Sequence, residues 1–161
     1  MVIRAVLVLL AYTFVPALEL RFSIPYGLYN YRETLGPGMV VAVCLVANTL
    51  LAPLVWVFVD RCMQVFLRIG WIERLWDLVV LRSRSRLEPY VERWGTLGLA
   101  LFIGVPLPGS GVYSGALGAY LLGFNFRRYM LAAVLGVMIA GSAVTLIVVT
   151  GATTLELFLK R

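Results

Sequence analysis

Two oppositely charged side chains, Glu19 and Arg21, stand two residues apart in an otherwise apolar part of the chain. Residues 5–18 before them and 26–31 after them carry no charge. A charge at bilayer depth costs at least ~2.5–3.5 kcal/mol on insertion scales, and such charges mark substrate, ion or proton pathways. Arginine binds phosphate through a planar fork of donors. We therefore predict that Arg21 binds an anionic group and that Glu19 carries a proton. The alternative is a structural ion pair that fixes the local turn.

The composition places the chain among membrane proteins. Of its 161 residues, 61% are hydrophobic, and the net charge is +6. In this class the basic residues are expected to set topology and to meet anionic lipid headgroups, rather than to bind nucleic acid. The chain has no histidine, and its two cysteines, Cys44 and Cys62, lack the spacing of a zinc site. We therefore expect no metal, no cofactor and no enzymatic activity.

Two segments are apolar, interrupted, and of a length that does not suit whole membrane crossings. Residues 94–126 contain no charged residue, and they are too long for one spanning helix of ~20 residues and too short for two. Their centre reads Pro-Leu-Pro-Gly-Ser-Gly at 106–111, which cannot continue a helix. This pattern predicts a re-entrant hairpin that turns near the bilayer midplane. Residues 2–31 repeat the layout, with a predicted break at 19–25.

Two further segments, 39–59 and 129–155, are uncharged and long enough to span a bilayer. Within the first, Asn48 is expected either to make a helix–helix hydrogen bond or to line a cavity. Within the second, Gly136, Gly141 and Ser142 are small residues suited to close helix packing.

The charged segment 60–93 lies between these two halves. The positive-inside rule places it in the cytoplasm, and its apolar periodicity predicts an amphipathic helix at the membrane interface.

The order hairpin, span, loop, hairpin, span predicts one all-α polytopic membrane domain over residues 1–161. Repeat one covers 2–59, the amphipathic cytoplasmic linker covers 60–93, and repeat two covers 94–155. The repeats are inverted relative to one another, which puts both termini outside. Inverted repeats with broken helices that meet at the midplane are typical of transporters. Because the chain is small, a homodimer is expected.

The two breaks and the arms that follow them supply the predicted substrate or ion site. Gly109 and Gly111 allow close backbone approach, and the amides that open the second arm form a helix N-terminus suited to an anion. Tyr26 and Tyr113 are placed either to offer hydroxyls to a ligand or to bond the opposite turn. The predicted site consists of Glu19, Arg21, Ser23, Pro25, Tyr26, Pro106, Pro108, Gly109, Ser110, Gly111 and Tyr113, with Asn48 as a cavity-lining residue.

Several of these motifs together resemble one known family. Glu19-Leu20-Arg21 with Ile24-Pro25, the turn at 106–111, Gly115-Ala116-Leu117 and Phe126-Arg127-Arg128 are similar to the small multidrug export protein family, a distant relative of the DedA/VTT membrane proteins. The likeness covers roughly residues 11–150. Typical members show Gly-Ala where this chain has Phe22-Ser23. The resemblance implies two re-entrant hairpins in an inverted repeat, and wider relatives are implicated in moving lipids such as polyprenyl-phosphate carriers.

The leading hypothesis is a proton-coupled transporter or lipid flippase in a prokaryotic-type plasma (inner) membrane. Its substrate would be anionic, such as a polyprenyl-phosphate or a phospholipid, and its partners would be membrane lipids and a second copy of the chain. An exporter of small cations or drug-like molecules, which would use Glu19 without Arg21, is the first alternative. A non-transporting membrane scaffold is the second. A membrane enzyme is disfavoured because Ser110 has no obvious base.

Overall fold

A computed structural model describes residues 1–16, 18–66, 95–105 and 110–159, with backbone alone for 65–66 and 152–159. Every regular element in these ranges is a helix. The helices are α1 (Val2–Phe14), α2 (Glu19–Asn30), α3 (Arg32–Leu35), α4 (Pro37–Phe66), α5 (Gly95–Gly104), α6 (Val112–Leu121) and α7 (Phe126–Leu159).

Two of these helices, α4 and α7, are long and apolar enough to cross a bilayer. The qualifying stretches are Pro37–Gln64 and Phe126–Gly151, which confirms the two predicted spanning helices. Helix α4 continues past the predicted end at residue 59, and there the Gln64 amide donates to the Asp60 carboxylate at 2.9 Å, one turn away. The amphipathic helix predicted beyond this point falls mainly on residues 67–93, which lie outside the described ranges.

The first interrupted segment forms two short helices, α1 and α2, that pack against each other. The predicted break at 19–25 is wrong in position, because α1 ends at Phe14 and α2 already begins at Glu19. Pro16 explains the end of α1, since it lacks an amide hydrogen and cannot extend that helix. Pro25 lies inside α2, where it removes only one hydrogen bond, the one to the carbonyl of Arg21.

The two short helix pairs reach the middle of the molecule from opposite ends of α4. The α1–α2 pair packs on α3 beside the start of α4. The α5–α6 pair lies near the other end, where Tyr120 at the end of α6 is 6.4 Å from Trp56 of α4, measured between ring centroids. Trp56 also stacks on Tyr129 at the start of α7, at 4.9 Å. Re-entrant insertion and inverted symmetry in a bilayer remain predictions.

Close packing of α5 on α7 depends on glycine. A Cβ placed on Gly136 would lie 2.7 Å from Ile103 and 2.8 Å from the carbonyl oxygen of Ala100. A Cβ on Gly104 would lie 2.9 Å from Ile139. The two backbones therefore approach as small residues permit in membrane helices. This is the packing role predicted for Gly136.

The other two predicted small residues, Gly141 and Ser142, differ in their surroundings. Gly141 packs directly against Leu45 of α4, as a close-packing residue should. Ser142 is exposed, so it does not contribute to packing within the described part of the chain.

Gly136→Ala should destabilise the protein by about 1–3 kcal/mol, because the new methyl group collides with backbone as well as with a side chain. Gly151→Ala is the matched control on the same helix, where a Cβ meets nothing within 4 Å. Higher helix propensity should leave the control unchanged or stabilise it by up to ~1 kcal/mol. Equilibrium unfolding in detergent micelles measures both changes. Equal stability of the two variants would contradict this packing of α5 on α7.

Candidate functional site

The start of α2 meets the break between α5 and α6 through charged hydrogen bonds. The Arg21 guanidinium donates from Nη2 to the Val105 carbonyl oxygen at 3.1 Å and to Ser110 Oγ at 2.7 Å. Its Nη1 donates to the carbonyl oxygen of Ser110. Ser110 Oγ in turn donates to the Val105 carbonyl oxygen at 2.6 Å. One arginine therefore ties together the two sides of the break, as its fork of donors allows.

Glu19 binds the same region, but it accepts hydrogen bonds from backbone amides, whereas Arg21 donates to oxygen atoms. Its carboxylate accepts hydrogen bonds from the backbone amides of Val112 at 3.2 Å and Tyr113 at 3.5 Å. These amides open α6, where no helical carbonyl can reach them. The side chain of Glu19 is buried, at 5% exposure. The helix N-terminus that was predicted to receive an external anion is thus occupied by a carboxylate of the chain itself.

Gly111 makes room for this carboxylate. Its φ is +147°, and a Cβ at this position would lie 2.7 Å and 2.8 Å from the two carboxylate oxygens of Glu19. A side chain would therefore be disfavoured by the backbone and by the contact at once. This is the physical reason for glycine at the end of the Pro-Leu-Pro-Gly-Ser-Gly motif.

The backbone of Glu19 is also unusual. Its φ is +40°, which makes it the one residue other than glycine with a positive φ in the described ranges. Such a conformation costs of order 1–3 kcal/mol and is concentrated at functional sites and switch regions. Here it occurs at the first residue of α2, whose carboxylate lies over the start of α6. We call Glu19, Arg21 and the groups they bind at 105–113 the polar junction.

The remaining predicted residues lie in different surroundings. The Tyr113 hydroxyl donates to the carbonyl oxygen of Phe14, the last residue of α1, at 2.6 Å. Tyr26 belongs to an aromatic cluster with Tyr12, at 4.7 Å between ring centroids. Ser23 is fully buried beside the Cys44 thiol. Pro25 lies within α2, and Pro106, Pro108 and Gly109 are outside the described residues.

Asn48 lies on the wall of a small cavity that Glu19 and Arg21 also line. It is 1% exposed, and its Oδ1 has no hydrogen-bond partner among the described residues. Which of its two predicted roles Asn48 plays stays a prediction.

One contributor to this region was not anticipated from the sequence. Tyr129 is fully buried at the start of α7, and its hydroxyl lies 3.4 Å from the Ala52 carbonyl oxygen and 3.3 Å from that of Val112. It connects α7 to α4 and to the first turn of α6. A tyrosine directly after Arg127-Arg128, at the start of an apolar span, was the signal available. No group of three metal-ligating side chains occurs in the ranges that the structure describes.

Gly111→Ala should push the Glu19 carboxylate off the amides of α6 without changing any charge. A loss of about 1–3 kcal/mol in the free energy of unfolding is expected from the strained φ. Gly118→Ala is the control on the same helix, because a Cβ there meets nothing within 4 Å. Unfolding in detergent micelles measures both.

The double variant Gly111→Ala/Glu19→Ala gives a sharper check. Removing the carboxylate relieves the collision. The loss in free energy of unfolding of the double variant should therefore be smaller than the sum of the losses in the two single variants. Strictly additive costs would show that Gly111 and Glu19 do not touch.

Comparison with known proteins identifies the family. The family model described as "Putative small multi-drug export protein" matches residues 19–143. The matched region begins at Glu19 and contains both sides of the polar junction. Neither the curated proteins nor the solved structures contain a match. A relationship to the DedA/VTT proteins stays a prediction. The family and the two helices able to span a bilayer indicate an integral membrane protein. Because the match covers most of its length, this chain belongs to the family of putative small multi-drug export proteins.

Proposed function

We propose that this protein is a transporter in which Glu19 and an anionic substrate compete for the same helix N-terminus. The observation that supports this most directly is the hydrogen bonding of the Glu19 carboxylate to the first amides of α6. A helix N-terminus binds carboxylate and phosphate by the same amides and the same dipole. A site that holds one anion of the chain can therefore hold a different anion once that carboxylate leaves.

Protonation of Glu19 would release it. When one carboxylate oxygen takes up a proton, the side chain becomes neutral and its attraction to the dipole and to Arg21 is lost. A phosphate oxygen can then accept from the amides of Val112 and Tyr113. The Arg21 fork can turn from the Ser110 carbonyl to the phosphate, which suits its geometry better. Deprotonation of Glu19 restores the closed junction and expels the anion, which couples substrate movement to protons.

The cavity beside the polar junction is smaller than a phosphate group, so a lipid phosphate could enter only after the junction opens. The space beside Glu19 and Arg21 holds about one water molecule, too little for a whole drug-sized ligand. A polyprenyl-phosphate or a phospholipid could keep its chains in the bilayer while its phosphate approaches the junction. Large apolar side chains, such as Leu50 and Leu54 on α4, are more than half exposed and suit contact with lipid.

The approach of the two helix pairs from opposite ends of α4 supports an alternating mechanism. In this proposal the pairs are re-entrant hairpins of two inverted repeats, and opening one side of the polar junction exposes the site to one side of the membrane. The linker at 60–93 faces the cytoplasm and both termini face outward, in a prokaryotic-type plasma membrane. A second copy of the chain completes a homodimer.

Two other functions also have observations in their favour. An exporter of drug-like cations agrees with the family description. It would bind its substrate through Glu19, whereas Arg21 would repel it. A non-transporting scaffold agrees with the hydrogen bonds that Glu19 and Arg21 already make within the chain and with the small cavity beside them.

Proteoliposomes with fluorescent phosphatidylglycerol, or with ethidium as a drug-like cation, separate these functions. Phosphatidylglycerol movement should fall at least about tenfold in both Glu19→Gln and Arg21→Ala, because a hydrogen bond to a charged group contributes ~1.5–3 kcal/mol. Dithionite quenching of the labelled lipid measures its movement, and an internal pH dye measures the accompanying protons. Glu33→Gln and Arg32→Ala are matched controls, since these exposed residues of α3 repeat the charge pair away from the junction.

Each failure points to a different conclusion. Normal movement of phosphatidylglycerol in both junction variants would remove Glu19 and Arg21 from the site. Ethidium transport that is lost in Glu19→Gln and kept in Arg21→Ala would establish the cation exporter. If the wild-type protein moves neither probe, the non-transporting scaffold is the function that remains.

A further inference from the structure

A small cavity lies in the interior between α2, α4, α5 and α7, next to the polar junction. It has room for about one water molecule. Its lining combines polar residues from α2 and α4 with apolar residues from the surrounding helices. The residues that line it are Glu19, Leu20, Arg21, Asn48, Ile103, Val137 and Ala140.

Two residues of this lining each carry one buried polar atom without a hydrogen-bond partner among the described residues. These atoms are Nε of Arg21, which can only donate, and Oδ1 of Asn48, which can only accept. An unpaired buried donor or acceptor costs about 1–3 kcal/mol, more when the group is charged, so native proteins seldom leave one unpaired. The two residues belong to different helices, α2 and α4, and line the same cavity.

The cavity lies far from the charged ends of the long helices. Asn48 precedes Asp60 on α4 by about 18 Å of helix axis, at about 1.5 Å per residue. Ala140 follows Arg128 on α7 by about the same 18 Å. The Trp56–Tyr129 contact joins these helices at their charged ends, which brings Asn48 and Ala140 to one level. In a hydrocarbon core ~30 Å thick this level is close to the middle, where charged groups are costly unless water or a partner accompanies them.

We propose that this cavity is a binding site for a single water molecule held by Arg21, Asn48 and Glu19. The water oxygen accepts a hydrogen bond from Nε–H of Arg21. One water hydrogen is donated to Oδ1 of Asn48, and the other is directed to the carboxylate of Glu19. Three partners are the usual number for a buried water. Asn48 is a positioning residue here, since it acts on the charged pair through the water.

The site explains why a polar residue occupies the middle of an otherwise apolar span. Without the water, Asn48 would carry an unpaired oxygen into the core, and the guanidinium of Arg21 would be incompletely solvated at its Nε. With the water bound, both charged residues of the polar junction share one solvent molecule on their cavity side. The inference stands on burial and hydrogen bonding alone, so it holds whether or not the protein transports an anion.

X-ray radiolytic footprinting tests the site, because hydroxyl radicals formed from a bound water oxidise the side chains around it. Leu20 and Ile103 line the cavity at 2% exposure each, whereas Leu9 and Ile24 are 0% exposed and lie elsewhere. These are matched pairs of the same residue types. In the wild-type protein in micelles, Leu20 should oxidise severalfold faster than Leu9, and Ile103 severalfold faster than Ile24. Equal rates within both pairs would overturn the proposal.

Variants then test the part played by Asn48. Asn48→Leu removes the acceptor and fills space, so oxidation of Leu20 and Ile103 should fall to the rates of Leu9 and Ile24. Thr49→Val is the control at the next position of α4, because its hydroxyl already bonds the Leu45 carbonyl oxygen at 2.8 Å. Unchanged oxidation in a folded Asn48→Leu protein would exclude Asn48 from the site. Should that variant not fold, the wild-type comparison of the two residue pairs still decides whether the cavity holds water.

Discussion

The carboxylate of Glu19 on the N-terminus of α6 is the interaction on which the rest of this structure depends. It satisfies two backbone amides that have no other acceptor among the residues that the structure describes. Without it, each amide would be left unpaired at a cost of about 1–3 kcal/mol. Gly111 leaves space for it, and the positive φ of Glu19 directs it. The glycine at position 111 and the positive φ of Glu19 both serve the contact between the α1–α2 pair and the α5–α6 pair.

The spacing of Glu19 and Arg21 fits the break that they bind. Arg21 binds the carbonyl oxygen of Val105, just past the end of α5, where the helix dipole is negative, and also that of Ser110, directly before the N-cap of α6. Glu19 binds amides at the start of α6, where the dipole is positive. Two residues of opposite charge, two positions apart, therefore face a helix end and a helix start of opposite polarity. One pair of opposite charges thus binds both sides of the break between α5 and α6.

Part of this arrangement could be predicted from sequence, because a membrane restricts the length of spanning helices and the placement of charges. Uncharged stretches of sufficient length identify α4 and α7, and a charged pair next to an apolar run identifies Glu19 and Arg21 as unusual. The position of the first break could not be predicted as well, because Pro16 and Pro25 are equally good helix breakers in sequence. Only the packing of α2 shows which one ends a helix.

The hydrogen-bond partners of Glu19 and Arg21 could not be predicted from the sequence, for a different reason. Glu19 and Arg21 could have bound one another, a ligand or the opposite turn, and all three satisfy the same local chemistry. The choice depends on backbone groups of Val105, Val112 and Tyr113, which carry no signal in their side chains. Likewise, Asn48 was recognisable as a polar residue in a span, but its cavity appears only when α2 and α7 are placed around it.

The electrostatics of the polar junction bear on which substrate it would take. In the closed form, one carboxylate and one guanidinium leave the junction with no net formal charge. Protonation of Glu19 in the proposed mechanism leaves one positive charge on Arg21 beside a helix N-terminus that is itself partly positive. A monovalent anion restores neutrality there, whereas a cation would add a second positive charge where desolvation makes repulsion strong. In the proposed mechanism, charge balance would therefore couple proton uptake to anion entry one to one. A cation could replace the proton only if Arg21 first left the junction.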